Sequence, residues 1–419
     1  MSSSFKNRGW LVTFSGTGIN LALGILYTWS IFKGAIESAI KAGGEGTFNW
    51  DLAYTNTPYS VCCIVFAFAM ILAGKCQDKF GPRITAFIGG VLVSIGLIWI
   101  STTTSFTVWV LGFGLLAGAG IGFGYSAATP PALKWFPPSK TGLIAGLVVS
   151  GFGLASVYIA PLSQYLLGIW GVQKSMLFFG IAFLIVVCGL STMLVNPPAG
   201  YKPEENNVTG TAKQPEKPQN DINPLAMMKS GVFYIIWLIY FIGAGAGLMV
   251  ISSVALMAKK SLGEDMAFLA VAIMAIGNAG GRIIAGLLSD KIGRRLTLTV
   301  MLLFQCILML IAIPIVGKSS SAVILVLLAT FIGFNYGTNL SLFPSITKDR
   351  WGLKNFGINY GIVFTAWGIG GFVMPMLSQM LYAKYNVYTY SFLTAAVFLF
   401  IGVLLTFALK GEKRILKTV

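Results

Sequence analysis

The sequence predicts an all-α membrane protein of twelve transmembrane helices in two pseudo-symmetric six-helix halves. Three observations carry that prediction. Only 10% of the 419 residues are charged and 56% are hydrophobic, with a mean hydropathy of +0.80, whereas a soluble domain carries roughly 25% charge. The apolar residues fall into successive uncharged runs of about 20, the length that crosses a bilayer as a helix. A ten-residue pattern beginning at Gly74 returns at Gly286.

The runs place spans near 9–32, 52–74, 84–101, 106–131, 142–167, 175–195, 230–258, 266–288, 296–316, 321–345, 356–383 and 389–409. The first is too long for the apolar core of a signal peptide and is read as a retained span. Residues 196–229 differ, with Pro197, Pro198, Pro203, Pro215 and Pro218 among Lys, Glu, Asn and Gln. That composition marks a polar linker. The domains are therefore 1–195, 196–229 and 230–419.

Orientation follows from the distribution of Lys and Arg. With the N-terminus cytoplasmic, 21 of the 29 basic residues fall in cytoplasmic segments and 7 outside, leaving Arg282 within a span. Both termini and the linker are thus expected inside, in a multi-pass protein of the cell (inner) membrane. The formal charge of +16 sits between apolar runs, not on one basic face, so nucleic acid is not a partner. The five cysteines show no disulfide or metal spacing, and the chain has no histidine. No cofactor or metal is expected. An intramembrane enzyme needs paired acids, histidine or an activated nucleophile, and none stands in mid-span.

The halves repeat. Gly74-Lys-Cys-Gln-Asp78-Lys79-Phe-Gly81-Pro-Arg83 returns as Gly286-Leu-Leu-Ser-Asp290-Lys291-Ile-Gly293-Arg-Arg295, at an offset of 212 residues. Leu162-Ser163-Gln164 pairs with Leu377-Ser378-Gln379, and Lys134-Trp135 with Arg350-Trp351, at offsets of 215 and 216. A six-helix repeat is a signature of carriers that alternate access at the interface of two halves. In the repeated motif, the glycines are expected to let the chain turn tightly between packed spans. The aspartate is expected to accept from the first amides of the next helix, and the basic residues to face the anionic leaflet. Glycine-rich stretches such as Gly114, Gly118 and Gly122 permit close helix approach and rocking.

This motif resembles the loop between helices two and three of the major facilitator superfamily, and the resemblance covers the whole chain. A narrower resemblance rests on Tyr27-Thr-Trp29-Ser-Ile-Phe32, Gly-Phe-Gly-Tyr125, Lys134-Trp135-Phe136-Pro137, Asn278-Ala-Gly-Gly-Arg282, Leu342-Phe343-Pro344-Ser345 and Asn359-Tyr360-Gly361. Together these are similar to the oxalate/formate antiporter and monocarboxylate transporter branch, including bacterial-type lactate and pyruvate transporters. The resemblance implies a secondary transporter, monomeric, with a proton as a second partner.

Arg282 is the residue that speaks most directly of chemistry. It lies about 9–12 Å inside the predicted end of helix eight, at ~1.5 Å per residue. An arginine in a span costs about 2.5–3.5 kcal/mol or more, so a partner must offset it. A guanidinium matches a carboxylate bidentately, which points to an anionic substrate; a snorkelling arginine is the alternative. Asn278, four residues earlier, shares its helical face. In animal monocarboxylate transporters that position is an aspartate tied to proton coupling. Some members of the branch have a lysine in helix one, and residues 9–32 contain none. Some oxalate exchangers carry a lysine in helix eleven, where alignment on Asn359-Tyr360-Gly361 puts Trp367. One cation neutralises one negative charge, so a small monocarboxylate anion of the lactate or pyruvate class is the expected cargo. An oxalate/formate-type anion antiporter is the alternative. Leu26, Tyr27, Tyr125, Leu147, Tyr336, Leu340, Phe364 and Trp367 are the candidate pocket lining, the tyrosines as hydroxyl donors.

Overall fold

A computed structural model describes residues 7–44, 46–198, 200–201, 203, 221–262, 264–315 and 322–409. Most of the linker (199, 202 and 204–220), Lys6, Lys318 and the basic residues Lys410, Lys413, Arg414 and Lys417 lie outside the described residues. So do the side chains of Lys259, Lys260 and Gln379.

Among the described residues, 11 helical stretches are long and apolar enough to cross a membrane. One of them, Pro138–Ser191, holds two spans, because Gly171 inside it has φ 70 and ψ −177. Only glycine takes that conformation without strain, so the chain reverses there with almost no loop. Twelve spans result. They are α1 (Gly9–Ala42), α2 (Thr57–Phe80), α3 (Pro82–Ile100), α4 (Phe106–Trp135), α5 (141–170), α6 (172–191), α7 (Gly231–Leu262), α8 (Glu264–Ile292), α9 (Arg294–Ile315), α10 (Ala322–Trp351), α11 (Phe356–Tyr385) and α12 (Thr389–Ala408). A short helix, Pro224–Lys229, precedes α7, its N-cap Asn223 accepting from the Ala226 amide. Each span has an apolar face toward lipid: Phe14, Leu72, Ile185 and Phe407 are among the large exposed side chains.

Helix ends differ from the sequence reading in three places. First, α1 runs ten residues past 32, through a 3-10 segment at Gly24–Thr28. It therefore carries Lys33 and Glu37, which pair at 3.6 Å. Lys33, counted outside the membrane from the sequence, is thus helical and already partnered. Second, α2 starts at Thr57 with Pro58 in its first turn, where a proline costs no hydrogen bond. Third, α2 and α8 continue through most of the repeated motif. Gly74, Asp78 and Lys79 are helical, as are Gly286, Asp290 and Lys291. Only Gly81 (φ 85) and Gly293 (φ 91) make the turns. Burying the helix ends against the other half keeps these polar residues helical where hydropathy alone ends the span.

The first six and last six helices meet along two large contacts, α2 with α11 and α5 with α8. At the end of the bundle that holds the motifs, called here the basic end, glycines cross on glycines. A Cβ at Gly74 would lie 2.1 Å from the Gly357 carbonyl oxygen, and one at Gly286 would lie 2.1 Å from that of Gly142. The first glycine of each motif therefore serves close helix crossing, not the tight turn expected from sequence.

The aspartates also correct the sequence reading. Asp78 accepts from the amides of Gly357 and Ile358, at 3.0 Å each. Asp290 accepts from Gly142 at 2.8 Å and Leu143 at 2.9 Å. Each carboxylate caps a helix of the opposite half, α11 or α5, and not the helix that follows it in sequence. The charge meets the positive end of that helix's dipole, and the basic end is closed by the pair. Lys79 lies over the Phe80 ring at 5.1 Å, and Arg83, Lys291 and Arg295 are exposed.

Candidate functional site

Arg282 lies on α8 with no exposed surface. It does not snorkel. Two features of α5 make room for it. Gly146 and Gly153 are seven residues apart, two turns on one face, and both meet Arg282. A Cβ at Gly146 would lie 2.3 Å from the Arg282 carbonyl oxygen, and one at Gly153 would lie 3.3 Å from the guanidinium carbon. The guanidinium is held on two sides. Its Nε donates to Asn278 Oδ1 at 3.0 Å, and Nη1 donates to the Val149 carbonyl oxygen. Among the described residues Nη2 makes no hydrogen bond of good geometry, and the Tyr27 hydroxyl is the side chain that approaches the guanidinium. Among the described residues no carboxylate pairs with Arg282. Asn278, on the same helical face four residues earlier, thus holds the Nε side of the fork. A buried donor left without an acceptor costs about 1–3 kcal/mol, more when charged, so an anion is the natural complement of the Nη2 edge.

Across from it, three predicted residues form a chain of hydrogen bonds. Trp367 Nε1 donates to the Tyr336 hydroxyl at 2.8 Å, and the Tyr336 and Tyr27 hydroxyls are 2.8 Å apart. The pair shares one bond, which consumes one phenolic proton. Whichever tyrosine donates, the other O–H remains available. Tyr27 comes from the first half, Tyr336 and Trp367 from the second, so the chain bridges the halves in mid-membrane. Tyr27, Tyr125 and Tyr336 all stand in electrostatic reach of Arg282.

Aromatic rings enclose this polar centre. Tyr125 packs on Phe364 at 5.5 Å and Trp367 stacks on Phe364 at 4.9 Å. Phe66 joins them, 5.5 Å from Tyr125 and 5.3 Å from Trp367. Phe152 closes the ring cluster, 5.1 Å from Tyr27. The Tyr125 hydroxyl is buried, and among the described residues Tyr360 is the side chain that approaches it.

Of the leucines, Leu26 is buried in the 3-10 segment of α1 and Leu340 is buried one turn beyond Tyr336. Leu147 is half-buried two residues before Val149, its carbonyl accepting from Thr17 at 3.1 Å. These three pack in the core and make no side-chain polar contact that joins them to Arg282. Sequence reading missed Phe66, Phe152, Val149 and Gly153. A backbone carbonyl leaves no signal in the sequence. The Gly146/Gly153 spacing was readable as a small-residue face opposite a bulky one.

A bundle of membrane-spanning helices whose two halves enclose one oriented guanidinium is the build of a membrane transporter. The chain belongs to the Major Facilitator Superfamily, whose family profile matches residues 9–352 and 236–417. It is 27% identical over 344 residues to the oxalate:formate antiporter of Oxalobacter formigenes, covering 82% of this chain and 77% of that protein. It is 26% identical over 400 residues to monocarboxylate transporter 13 of Bos taurus, covering 94% and 87%. These relatives place it in the oxalate/formate and monocarboxylate branch. The crystal structure of the human organic anion transporter MFSD10 (TETRAN) shares the fold, with a TM-score of 0.71 at 15% identity over 96% of this chain and 99% of that one.

Proposed function

We propose that the protein carries short monocarboxylates of the L-lactate and pyruvate class by alternating access, with the carboxylate on Arg282 and a proton as the coupled ion. The observation that carries this reading is the guanidinium itself. It is buried, positioned by Asn278 and Val149, unpaired with any described carboxylate, and has no acceptor of good geometry at Nη2 among the described residues. One cation neutralises one carboxylate. A dicarboxylate would keep a second charge in a low-dielectric cage, which is expensive, and the aromatic Trp367 stands where a second cation would be needed. Phe66, Tyr125, Phe152, Phe364 and Trp367 offer apolar walls for a short hydrocarbon portion, and the spare phenolic proton of the Tyr27–Tyr336 pair suits a 2-oxygen. In this reading 1–195 and 230–419 are the moving halves, 196–229 joins them, and the basic end faces the cytoplasm of a cell membrane, with both termini on that side.

The test is uptake of labelled L-lactate into liposomes under an inward proton gradient without internal substrate, with Arg282→Ala as control. Uptake above control that collapses with the gradient supports the reading. Fast exchange of preloaded anions without net uptake supports oxalate/formate-type antiport, which the likeness to the Oxalobacter protein also favours. No lactate movement in either format refutes the substrate class.

A further inference from the structure

A second cluster of phenols lies on the basic-end side of the Tyr27–Tyr336–Trp367 chain. Tyr125 on α4, Tyr240 on α7 and Tyr360 on α11 are all buried. Among the described residues none of their hydroxyls makes a hydrogen bond of good geometry, and the Tyr360 hydroxyl is the one that both Tyr125 and Tyr240 approach. We propose that these three phenols form an uncharged pole of the transport site, which binds a neutral cargo oxygen beyond C2 while Arg282 holds the carboxylate. The proposal rests on the reading of Arg282 as the carboxylate site.

One face of α11 sets the position of this pole. Tyr360, Phe364 and Trp367 stand at i, i+4 and i+7, a single helical face. Tyr360 therefore lies about 10 Å from Trp367 along the axis, toward the basic end, at ~1.5 Å per residue. Phe364 stands between them, and Tyr125, Tyr240 and Tyr360 all pack on its ring, at 5.5, 6.2 and 5.8 Å. Stacking holds the phenols further: Tyr240 lies on Phe343 at 3.9 Å and Tyr360 on Phe356 at 5.7 Å. A phenolic oxygen lies on its ring axis, so ring packing fixes where each hydroxyl stands. None of the three can turn away to water, and a buried hydroxyl without a well-placed partner is costly.

Arg282 is in electrostatic reach of Tyr125 and Tyr240, as it is of Tyr27 and Tyr336. The cation thus serves two sets of phenols. In the first, Tyr27 and Tyr336 already bond at 2.8 Å with Trp367 joined to them. The second has no such bond of good geometry among the described residues. A phenol is neutral and both donates and accepts, which matches a cargo hydroxyl. A second carboxylate there would keep its charge in a low-dielectric cage, and a wholly apolar cargo would leave the hydroxyls unmatched. Tyr125 comes from the first half and Tyr240 and Tyr360 from the second, so a bound oxygen would also bridge the halves.

The experiment is thermal unfolding of the purified full chain titrated with propionate, L-lactate or 3-hydroxypropionate, each half-saturating concentration being read from the rise in Tm. 3-Hydroxypropionate should bind about fivefold more tightly than propionate, the worth of one neutral hydrogen bond. Tyr240→Phe and Tyr360→Phe, on two different helices, should each remove most of that advantage and leave propionate and L-lactate unchanged. The melting profile without ligand shows which variants are folded, and either one suffices. Equal affinity of the parent for propionate and 3-hydroxypropionate, or equal losses for both acids in a folded variant, would overturn the pole; stabilisation by propionate that disappears in Arg282→Ala would then leave the carboxylate site standing. No stabilisation of the parent by any of the three acids would refute the carboxylate site and the pole together.

Discussion

Replacing Gly286 by alanine should open the basic end of the bundle. The added Cβ would lie 2.1 Å from the Gly142 carbonyl oxygen and 2.7 Å from its carbonyl carbon, against 3.4 Å for the onset of ordinary contact. The obstacle is backbone, so no rotamer change relieves it. α5 and α8 must separate by about 1 Å at this crossing, an overpacking cost of about 1–3 kcal/mol. The same separation stretches the bonds from Gly142 and Leu143 to Asp290, now 2.8 and 2.9 Å, to near or beyond ~3.2 Å, the outer limit of a good N–H···O bond. The closed state should lose about 5- to 150-fold in population relative to the open one. Spin labels at Lys140→Cys and Lys291→Cys, in a background without the five native cysteines, report the distance across this seam. Both positions are exposed. The expected result is a second, longer distance in Gly286→Ala. Gly280→Ala on the same helix is the control, since its Cβ would meet nothing within 4 Å. Identical distance distributions in Gly286→Ala and the parent would refute the argument that this crossing holds the end closed.

Three further predictions concern the site. Arg282→Lys should reduce the initial rate of lactate uptake about 100-fold or more in folded protein, because one ammonium cannot hold Asn278 and Val149 and still present a planar edge; uptake near the parent level would sink the bidentate reading. Tyr336→Phe removes the acceptor of Trp367 Nε1 and leaves that donor unsatisfied, at about 1–3 kcal/mol; the concentration dependence of uptake should show KM rising about five- to tenfold, and an unchanged KM would show that the bridge does not shape the site. Trp367→Lys adds a second cation beside Tyr336; competition against labelled substrate in counterflow should show oxalate gaining over lactate, and an unaltered preference would break the charge-count argument.

The transmembrane plan was legible because bilayer thickness imposes a length that hydropathy reports directly, and the repeat offset of 212 residues exposed the two halves. Arg282 and Asn278 were legible because a charge inside a span demands a reason and i,i+4 spacing puts the amide beside it. Tyr27, Tyr336 and Trp367 were individually readable as lining, but their junction depends on the register between α1, α10 and α11, which no local pattern encodes. Phe66 and Phe152 were indistinguishable from lipid-facing aromatics for the same reason. The motif's role was misread through a default to local partners. Asp78 and Gly357 are 279 residues apart in sequence, and only the docking of the halves reveals that pairing.

That docking is symmetric in plan and unequal in strength. The 212-residue offset maps Asp78 on Asp290 and Pro82 on Arg294. At the α5–α8 seam, Asp290 caps α5 and also pairs with Arg294, which in turn holds Asp349. At the α2–α11 seam, Asp78 caps α11 alike, but the position of Arg294 is a proline with no donor. Charge-assisted bonds are roughly twice as strong as neutral ones, and a fork shared by two carboxylates fixes its geometry further. The α2–α11 seam instead has the last part of the linker beside it. Asp221 accepts from the Leu353 and Lys354 amides at 3.1 and 3.0 Å, and Asn359 donates to the Ile222 carbonyl at 3.0 Å. One seam is thus locked by its own motif; at the other the end of the linker is tied to the start of α11, and Lys134 stands in electrostatic reach of both Asp78 and Asp221. The asymmetry predicts that opening of the basic end begins between α2 and α11, and spin-label distances that lengthen across both seams together would refute it.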